Sequence, residues 1–217
     1  KPDISHLLAG VKKVPQDTTP IIVVGFMKEL VKQTLGSGYI YVEQFDQKGT
    51  AHAVLSARSA VTADNIIVLN GDMPFTSAES LQKVIALHNS TDAKLTMLPC
   101  VLPNFENEFR GFASYGRIIR DDEGNIKKIQ ENKDCTEEQR QITEVNTGSY
   151  MFNSQWLWSK LEQIGSSNAQ DEFYLTDIVE IAIADGQQIQ SFPISTQEIC
   201  GINTPEDLLY AKSLLNL

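Results

Sequence analysis

The stretch IIVLNGDMPF, Ile66 to Phe75, combines an apolar run with a turn and a single carboxylate. Its first four residues are aliphatic and predict a short buried strand, which ends at Asn70-Gly71-Asp72. In open parallel sheets, ligands bind outside the carboxyl ends of the strands, so Asp72 is a candidate site residue. A single carboxylate suits Mg2+, which keeps several waters and takes one or two protein oxygens together with substrate phosphates. Gly71 would let another molecule approach the backbone closely.

A hairpin turn is the alternative interpretation of Asn70-Gly71, because Asn-Gly is a common two-residue connection between paired strands. A hairpin requires a second strand with alternating apolar residues after the turn. The residues that follow, MPFTSAESLQ, contain a proline and the beginning of a helical pattern instead. The sequence therefore favours a binding site over a hairpin at this position.

Helical and strand patterns alternate on both sides of this stretch. The segments PIIVVG, YIYVEQ and KLTMLPCVL predict strands, and MKELVKQT, TAHAVLSARSAV and SAESLQKVIALHN predict helices. This alternation predicts an α/β fold with a mostly parallel sheet and helices on both faces, in one domain over residues 1–217. Between about residues 105 and 153 the pattern changes. There, GRIIRDDEGNIKKIQEN predicts two strands around a turn and EVNTGSYMFN predicts another strand, an antiparallel excursion from the main sheet.

The charge balance narrows the classes of partner. The chain carries 28 acidic against 18 basic side chains, a formal net charge of -10, which disfavours nucleic acid and anionic membrane surfaces. No apolar run reaches the ~18 residues that a membrane-spanning helix needs. The three cysteines are far apart and predict neither a disulfide framework nor a zinc site, so the reducing cytoplasm is the expected location.

The segment VEQFDQKGTAHAV contains a second set of candidate residues. The Gln44 amide offers one donor and one acceptor side by side, the pattern that pairs with the edge of a uracil or thymine ring. Gly49 and Thr50 open a helix, where backbone N–H groups can meet an oxygen. A surface glutamine and a routine threonine cap are the alternative, which the segment alone does not exclude. His52, inside the same helical pattern, is expected to be packed or capped rather than catalytic.

Five segments together resemble one family. They are EQFDQKGTAHAV, VLNGDMPF, YGRIIRDDEGNIKKIQENKDCTEEQRQITEVNTGSYMF, NAQDEFYLTDIV and GINTPEDL. In this order and approximate spacing they resemble the pyrophosphorylase domain of bacterial bifunctional N-acetylglucosamine-1-phosphate uridylyltransferases. The resemblance implies a Rossmann-like nucleotidyltransferase fold. It also implies a Mg2+-dependent reaction in which UTP and N-acetylglucosamine 1-phosphate give UDP-N-acetylglucosamine, a peptidoglycan precursor, and pyrophosphate.

Carried over residue by residue, the resemblance implies roles for ten positions. Gln44, Gly49 and Thr50 would hold the uracil. Asn70 and Gly71 would contact substrate, although Asn70 stands where the family commonly has tyrosine. Asp72 would be a catalytic residue and metal ligand, and Asn203 would be the second metal ligand and a substrate contact. The amino-sugar pocket would be lined by Gly116, Glu131 and Asn146.

The family pattern also includes parts that these 217 residues do not contain. A strand and a Gly-rich loop with Arg and Lys would precede Lys1, and we expect them in the native protein. Hexapeptide repeats do not follow within the sequence, so acetyl transfer and the oligomer that accompanies it are not implied. Two other functions stay open: another sugar-1-phosphate nucleotidyltransferase, such as a thymidylyltransferase, and a non-catalytic nucleotide-sugar binding module.

Overall fold

The protein was analysed as a computed structural model that describes residues 4–15, 19–165, 172–202, 204 and 207–209. Seven α-helices lie in these ranges: α1 Ile4–Val11, α2 Lys28–Leu35, α3 Thr50–Ser56, α4 Ala78–Thr91, α5 Glu137–Arg140, α6 Ser154–Leu161 and α7 Ile178–Ala184. Among the described helices, none has the length and apolar character needed to cross a lipid bilayer.

Ten strands form three sheets in the described ranges. The strands are β1 Ile21–Val24, β2 Ile40–Glu43, β3 Asn65–Val68, β4 Leu95–Met97, β5 Cys100–Val101, β6 Arg117–Arg120, β7 Ile126–Gln130, β8 Glu144–Val145, β9 Tyr150–Asn153 and β10 Gln190–Ser191. The parallel pair β1–β2 forms one sheet, the order β10-β4-β9-β3 forms the second, and β5-β8-β6-β7 forms the third. The α/β fold and the antiparallel excursion are both confirmed.

One strand departs from the expected parallel arrangement. Strand β9 lies antiparallel between β3 and β4, with Phe152 opposite both Ile66 and Leu95. The side chains of Phe152, Leu95 and Met97 are fully buried. Burying an aromatic side chain of this size stabilises the folded state by roughly 1.5–3 kcal/mol, which explains why an apolar strand occupies the centre of this sheet.

The expected single strand EVNTGSYMFN is divided into β8 and β9, which belong to different sheets. The residues between them turn because Gly148 has a φ of 74°, in the left-handed region that favours glycine. The single strand predicted over KLTMLPCVL is likewise divided into β4 and β5. By contrast, the predicted hairpin around Asp122 is confirmed: β6 pairs with β7, and Gly124 closes the turn with a φ of 83°.

The buried carboxylate of Glu198 joins the beginning of α4 to residues 195–202. Glu198 accepts hydrogen bonds from the backbone N–H of Ser77 at 2.8 Å and of Ser195 at 2.9 Å. Burial alone would raise the pKa of Glu198, but these donors together lower it, so the carboxylate stays ionised at the amino end of the helix. The contact fixes the 195–202 segment beside the turn that follows β3.

The buried histidine of α4 makes folding sensitive to acid. His88 is 1% exposed, its Nδ1 lies 2.8 Å from Thr96 Oγ1, and its Nε2 meets no partner in the described structure. Burial, and secondarily the charge of Lys94, lowers the pKa of His88 below its usual 6.5. The unfolded chain therefore takes up a proton near pH 6.5 that the folded chain resists, and stability is lost as the pH falls below that value.

Replacing His88 with Asn is expected to flatten this dependence, since an amide at the position of Nδ1 can still meet Thr96 and does not titrate. Wild-type stability should fall between pH 6.5 and 5 by up to about 1.4 kcal/mol per pH unit more than that of the variant. Denaturant unfolding of both proteins across this range measures the difference. Parallel pH profiles would show that His88 is not the source.

Candidate functional site

The turn after β3 presents Asp72 to solvent at the carboxyl end of the strand. The N–H of Met73 donates to the carbonyl of Asn70 at 3.2 Å, which places Gly71 and Asp72 at the exposed tip. Helix α4 follows from Ala78, so no second strand pairs across the turn. The hairpin alternative is therefore wrong, and the turn is available to a ligand.

The Asp72 carboxyl has an unusual electrostatic environment. Asp72 is exposed to solvent, yet the surrounding protein removes part of the water around its carboxyl group, and this raises its pKa. Among the described residues, no lysine or arginine forms an ion pair with it. A carboxylate that lacks both full hydration and a cationic partner is electrostatically suited to a cation.

The backbone of the Asp72 turn meets a distant part of the chain. The N–H of Ile202 donates to the carbonyl of Asp72 at 3.0 Å. Asn203, the second predicted metal ligand, lies outside the described residues. Its chain neighbour, Ile202, is bonded to Asp72, the first predicted metal ligand. The charge of Asp72 also affects Tyr115. The pKa of the Tyr115 hydroxyl is raised by burial first and then by the negative charge of Asp72.

Asn70 joins the turn to the loop between β8 and β9. Its Nδ2 donates to the carbonyl of Thr147 at 2.9 Å. The contact is close, because a Cβ added at Gly148 would lie 2.6 Å from the same nitrogen. The side chain predicted to contact substrate therefore makes a hydrogen bond within the protein that joins two loops of the site.

The Asn146 amide is held in one orientation. Its Oδ1 accepts from the backbone N–H of Gly148 at 3.2 Å, which requires the oxygen to point that way, and from the Tyr150 hydroxyl at 3.0 Å. The Asn146 backbone N–H donates to Gly116 at 2.8 Å. With its oxygen occupied and its backbone fixed, Asn146 has its NH2 group left to donate to a ligand.

Glu131 lies next to Gly116, at the end of β7. A Cβ on Gly116 would come within 3.0 Å of Ile129 and 3.6 Å of Glu131 Oε1, so a larger residue would crowd the carboxylate. Burial raises the pKa of Glu131, Lys133 opposes the shift, and Asp177 adds to it. The structure thus brings together the three residues predicted to line the sugar pocket, and it adds Asp177, which the sequence analysis did not identify.

The Gln44 side chain lies at the carboxyl end of β2. Its Nε2 is 3.0 Å from the carbonyl of Gly49 and 3.0 Å from His52 Nδ1. The amide donor is therefore engaged within the protein, and only Gln44 Oε1 can face a base. That Gln44 pairs with a pyrimidine stays a prediction, and the contacts of its Nε2 leave the acceptor, rather than both groups, for that pairing. His52, expected to be packed or capped, contacts the side chain of Gln44.

Gly49 and Thr50 are pressed against the segment after residue 172. Gly49 has a φ of 107°, and a Cβ there would lie 2.6 Å from the carbonyl of Phe173. Thr50 Oγ1 accepts from the N–H of Leu175 at 2.9 Å, and the N–H of Ala51 donates to Phe173 at 2.9 Å. In the described part of the chain, the N–H groups of Gly49 and Thr50 meet no acceptor, which leaves them for a ligand.

A magnesium site here would rely on few protein ligands. The described residues contain no group of three or more His, Cys, Asp or Glu side chains arranged to hold a metal. One carboxylate at Asp72, with its partial loss of water and its open approach, fits a cation that draws its other ligands from phosphates and water.

The chain was compared with known proteins. A family model described as nucleotidyl transferase matches residues 5–212. The bifunctional protein GlmU of Geobacillus sp. (strain WCH70) is 38% identical over 218 residues, which are 99% of this chain and 46% of that protein. The GlmU of Carboxydothermus hydrogenoformans is 40% identical over 196 residues, 90% of this chain and 41% of its own. The chain thus spans about half the length of the curated relatives it matches.

Solved structures share the fold at low sequence identity. A CMP:2-keto-3-deoxy-manno-octonic acid synthetase complexed with CTP has a TM-score of 0.71 at 15% identity, covering 100% of this chain and 88% of its own. A UDP-glucose pyrophosphorylase complexed with UDP-glucose has a TM-score of 0.71 at 16% identity, covering 100% and 87%. These two structures are like this chain in fold. The family model, which matches residues 5–212, shows that the chain belongs to the nucleotidyl transferase family.

Proposed function

We propose that the chain transfers a uridylyl group from UTP to N-acetylglucosamine 1-phosphate, with Mg2+, to give UDP-N-acetylglucosamine and pyrophosphate. The observation that carries the proposal is the position of Asp72. Its carboxylate is partly dehydrated, has no cationic partner among the described residues, and lies on a turn that contacts both Ile202 and, through Asn70, the Asn146 loop. The similarity to the GlmU proteins at 38–40% identity supports the choice of substrates.

The reaction needs little from acid or base groups. A phosphate oxygen of the sugar phosphate attacks the α-phosphorus of UTP, the bond from that phosphorus to the bridging oxygen breaks, and pyrophosphate leaves. Bound Mg2+ would offset the charge of the phosphates. Asp72 would hold the metal, with Asn203 as a second ligand, and the remaining task of the protein is to place two anionic substrates in line.

Two groups of side chains would position the substrates. Gln44 Oε1 and the N–H groups of Gly49 and Thr50 would hold the base. The Asn146 NH2 group and the Glu131 carboxylate would bind the sugar, because the first donates to hydroxyl or acetamido oxygens and the second accepts from O–H or N–H. A sugar that supplies those donors would also offset part of the cost of burying the Glu131 carboxylate.

Thymidylyl transfer is the second candidate, and the orientation of the Gln44 amide is equally compatible with it. The only group that Gln44 leaves for a base is an acceptor, and the N3–H of thymine meets that acceptor as well as the N3–H of uracil does. Turnover of dTTP with glucose 1-phosphate in preference to UTP with N-acetylglucosamine 1-phosphate would select this alternative.

The first test is pyrophosphate release from UTP and N-acetylglucosamine 1-phosphate, with and without Mg2+, by the wild-type protein and by Asp72→Asn. We expect Mg2+-dependent release by the wild type and a loss of about 100-fold or more in the variant, because its amide lacks the charge that holds the metal. The thermal midpoint of Asp72→Asn should equal or exceed that of the wild type, since a carboxylate with a raised pKa costs stability when ionised.

Asp64→Asn is the matched control, because Asp64 is exposed at the opposite end of β3 and should tolerate the same change without loss of activity. A fully active Asp72→Asn would remove Asp72 from the mechanism. A folded wild-type protein that binds UDP-N-acetylglucosamine but releases no pyrophosphate would make the chain a binding module.

Alanine substitutions at two glycines of the site should have different effects, one on substrate binding and the other on the stability of the fold. Gly71 lacks a positive φ, and among the described residues a Cβ there would meet Ile4 alone, at 3.5 Å, so Gly71→Ala should unfold at the wild-type midpoint while weakening substrate binding. Gly49→Ala should destabilise the fold by about 2 kcal/mol, because its φ is strained for alanine and its Cβ would collide with Phe173. Unfolding midpoints and KM values for both variants check this contrast, and a destabilised Gly71→Ala would contradict it.

Asn146→Asp isolates the donor that we assign to sugar binding. The carboxylate keeps the oxygen that Gly148 and Tyr150 bond, but it replaces the outward NH2 group with an acceptor. The KM for N-acetylglucosamine 1-phosphate should rise at least about fivefold, the effect of losing roughly 1 kcal/mol of hydrogen bonding, while the KM for UTP stays near the wild-type value. Equal increases in both KM values would show that the change disturbs the site as a whole.

A further inference from the structure

The orientation of the Gln44 amide is determined by its neighbours. The carbonyl oxygen of Gly49, 3.0 Å away, can only accept, so the nitrogen and not the oxygen of the Gln44 amide must face it. The same nitrogen lies 3.0 Å from His52 Nδ1. The two hydrogens of the amide are thus matched by two acceptors, one from the backbone and one from a side chain.

This arrangement also determines which ring nitrogen of His52 carries the proton. For Nδ1 to accept from Gln44, the ring must be neutral and carry its proton on Nε2, because a protonated Nδ1 would oppose the amide hydrogen. The ring itself is held in place by its helix. Helix α3 begins at Thr50, whose hydroxyl accepts from Leu175, and the next residue, Ala51, donates to Phe173.

The consequence concerns which base the site accepts. With its nitrogen occupied, Gln44 offers Oε1 alone, an acceptor that attracts the N3–H of uracil and repels the bare N3 of cytosine. We propose that His52 is a positioning residue that selects uracil over cytosine by holding the Gln44 amide with its oxygen toward the base. This inference rests on the proposed function, since it concerns the nucleotide of that reaction, and it assigns His52 no contact with substrate.

The test compares three substitutions at His52. Asparagine places its Oδ1 close to the position of Nδ1 and can accept from Gln44, so His52→Asn should keep the selectivity of the wild type. His52→Ala removes the acceptor, and His52→Gln moves its amide to the level of Nε2. For these two variants the KM for UTP should rise, and the ratio of kcat/KM for UTP to that for CTP should fall, each by about three- to tenfold, the effect of one hydrogen bond.

The value of kcat at saturating UTP should change less than about twofold in all three variants, because the proposal gives His52 a contact with Gln44 and none with the phosphates or the metal ligands. The His52→Ala protein should also keep its thermal midpoint, since His52 is only half-buried and alanine favours a helix. Nitrogen-15 NMR of the wild type should show His52 with a bare Nδ1 and a protonated Nε2, a readout that does not depend on turnover.

The outcomes separate this inference from the proposed function. A wild type that discriminates UTP from CTP, with a His52→Ala variant that discriminates equally well, overturns the inference and leaves the reaction standing. A proton on Nδ1 in the NMR spectrum overturns it as well. A wild type that turns over no nucleotide refutes the proposed function, and the NMR measurement then still decides whether His52 holds Gln44 as described.

Discussion

The antiparallel placement of β9 decides where the candidate site forms. Because β9 runs opposite to its two neighbours, its first residue, Tyr150, pairs with Val68 at the end of β3 and with Met97 at the end of β4. The loop that precedes β9 therefore lies at the carboxyl ends of both strands. The bond from Asn70 to Thr147 follows from this arrangement, and it places the Asn146 loop beside the Asp72 turn.

The sequence allowed prediction of those parts of the site that depend on residues close together in the chain. Asp72 could be placed at a strand end because an apolar run, a turn and a helix start follow one another within a few residues. The partners of the turn could not be placed in the same way. They lie some 75 to 130 residues away in the chain, at Thr147 and Ile202, and their positions depend on how β9 enters the sheet. The bond from Asn70 to Thr147 is one that the sequence could not indicate, whereas the contact of Asn70 with substrate, implied by the family resemblance, stays a prediction.

The electrostatics of the site agree with its proposed task. Three carboxyls, those of Asp72, Glu131 and Asp177, have raised pKa values because surrounding protein removes their water. The charge of Asp177 adds to the shift at Glu131, and the charge of Glu180 adds to the shift at Asp177. Such groups cost stability in the free protein, and a stable fold without a function would have little reason to keep them. A metal ion at Asp72 and the hydroxyl or amide donors of a sugar at Glu131 would each offset part of that cost. The net charge of -10 is therefore compatible with anionic substrates, because the required positive charge arrives with the metal.

The two amides that we assign to recognition are set by the same physical device. In each, one end of the amide is bound inside the protein by partners that admit only one orientation, so only the opposite end faces outward. Gly49 and His52 occupy the nitrogen of Gln44 and leave its oxygen, whereas Gly148 and Tyr150 occupy the oxygen of Asn146 and leave its nitrogen. An amide that could rotate would accept or donate with equal ease and would distinguish ligands poorly. An amide whose inner end is bound by the protein can either only accept or only donate at its outer end. In the function that we propose, Gln44 would accept from the base and Asn146 would donate to the sugar, so two amides would recognise different parts of one product.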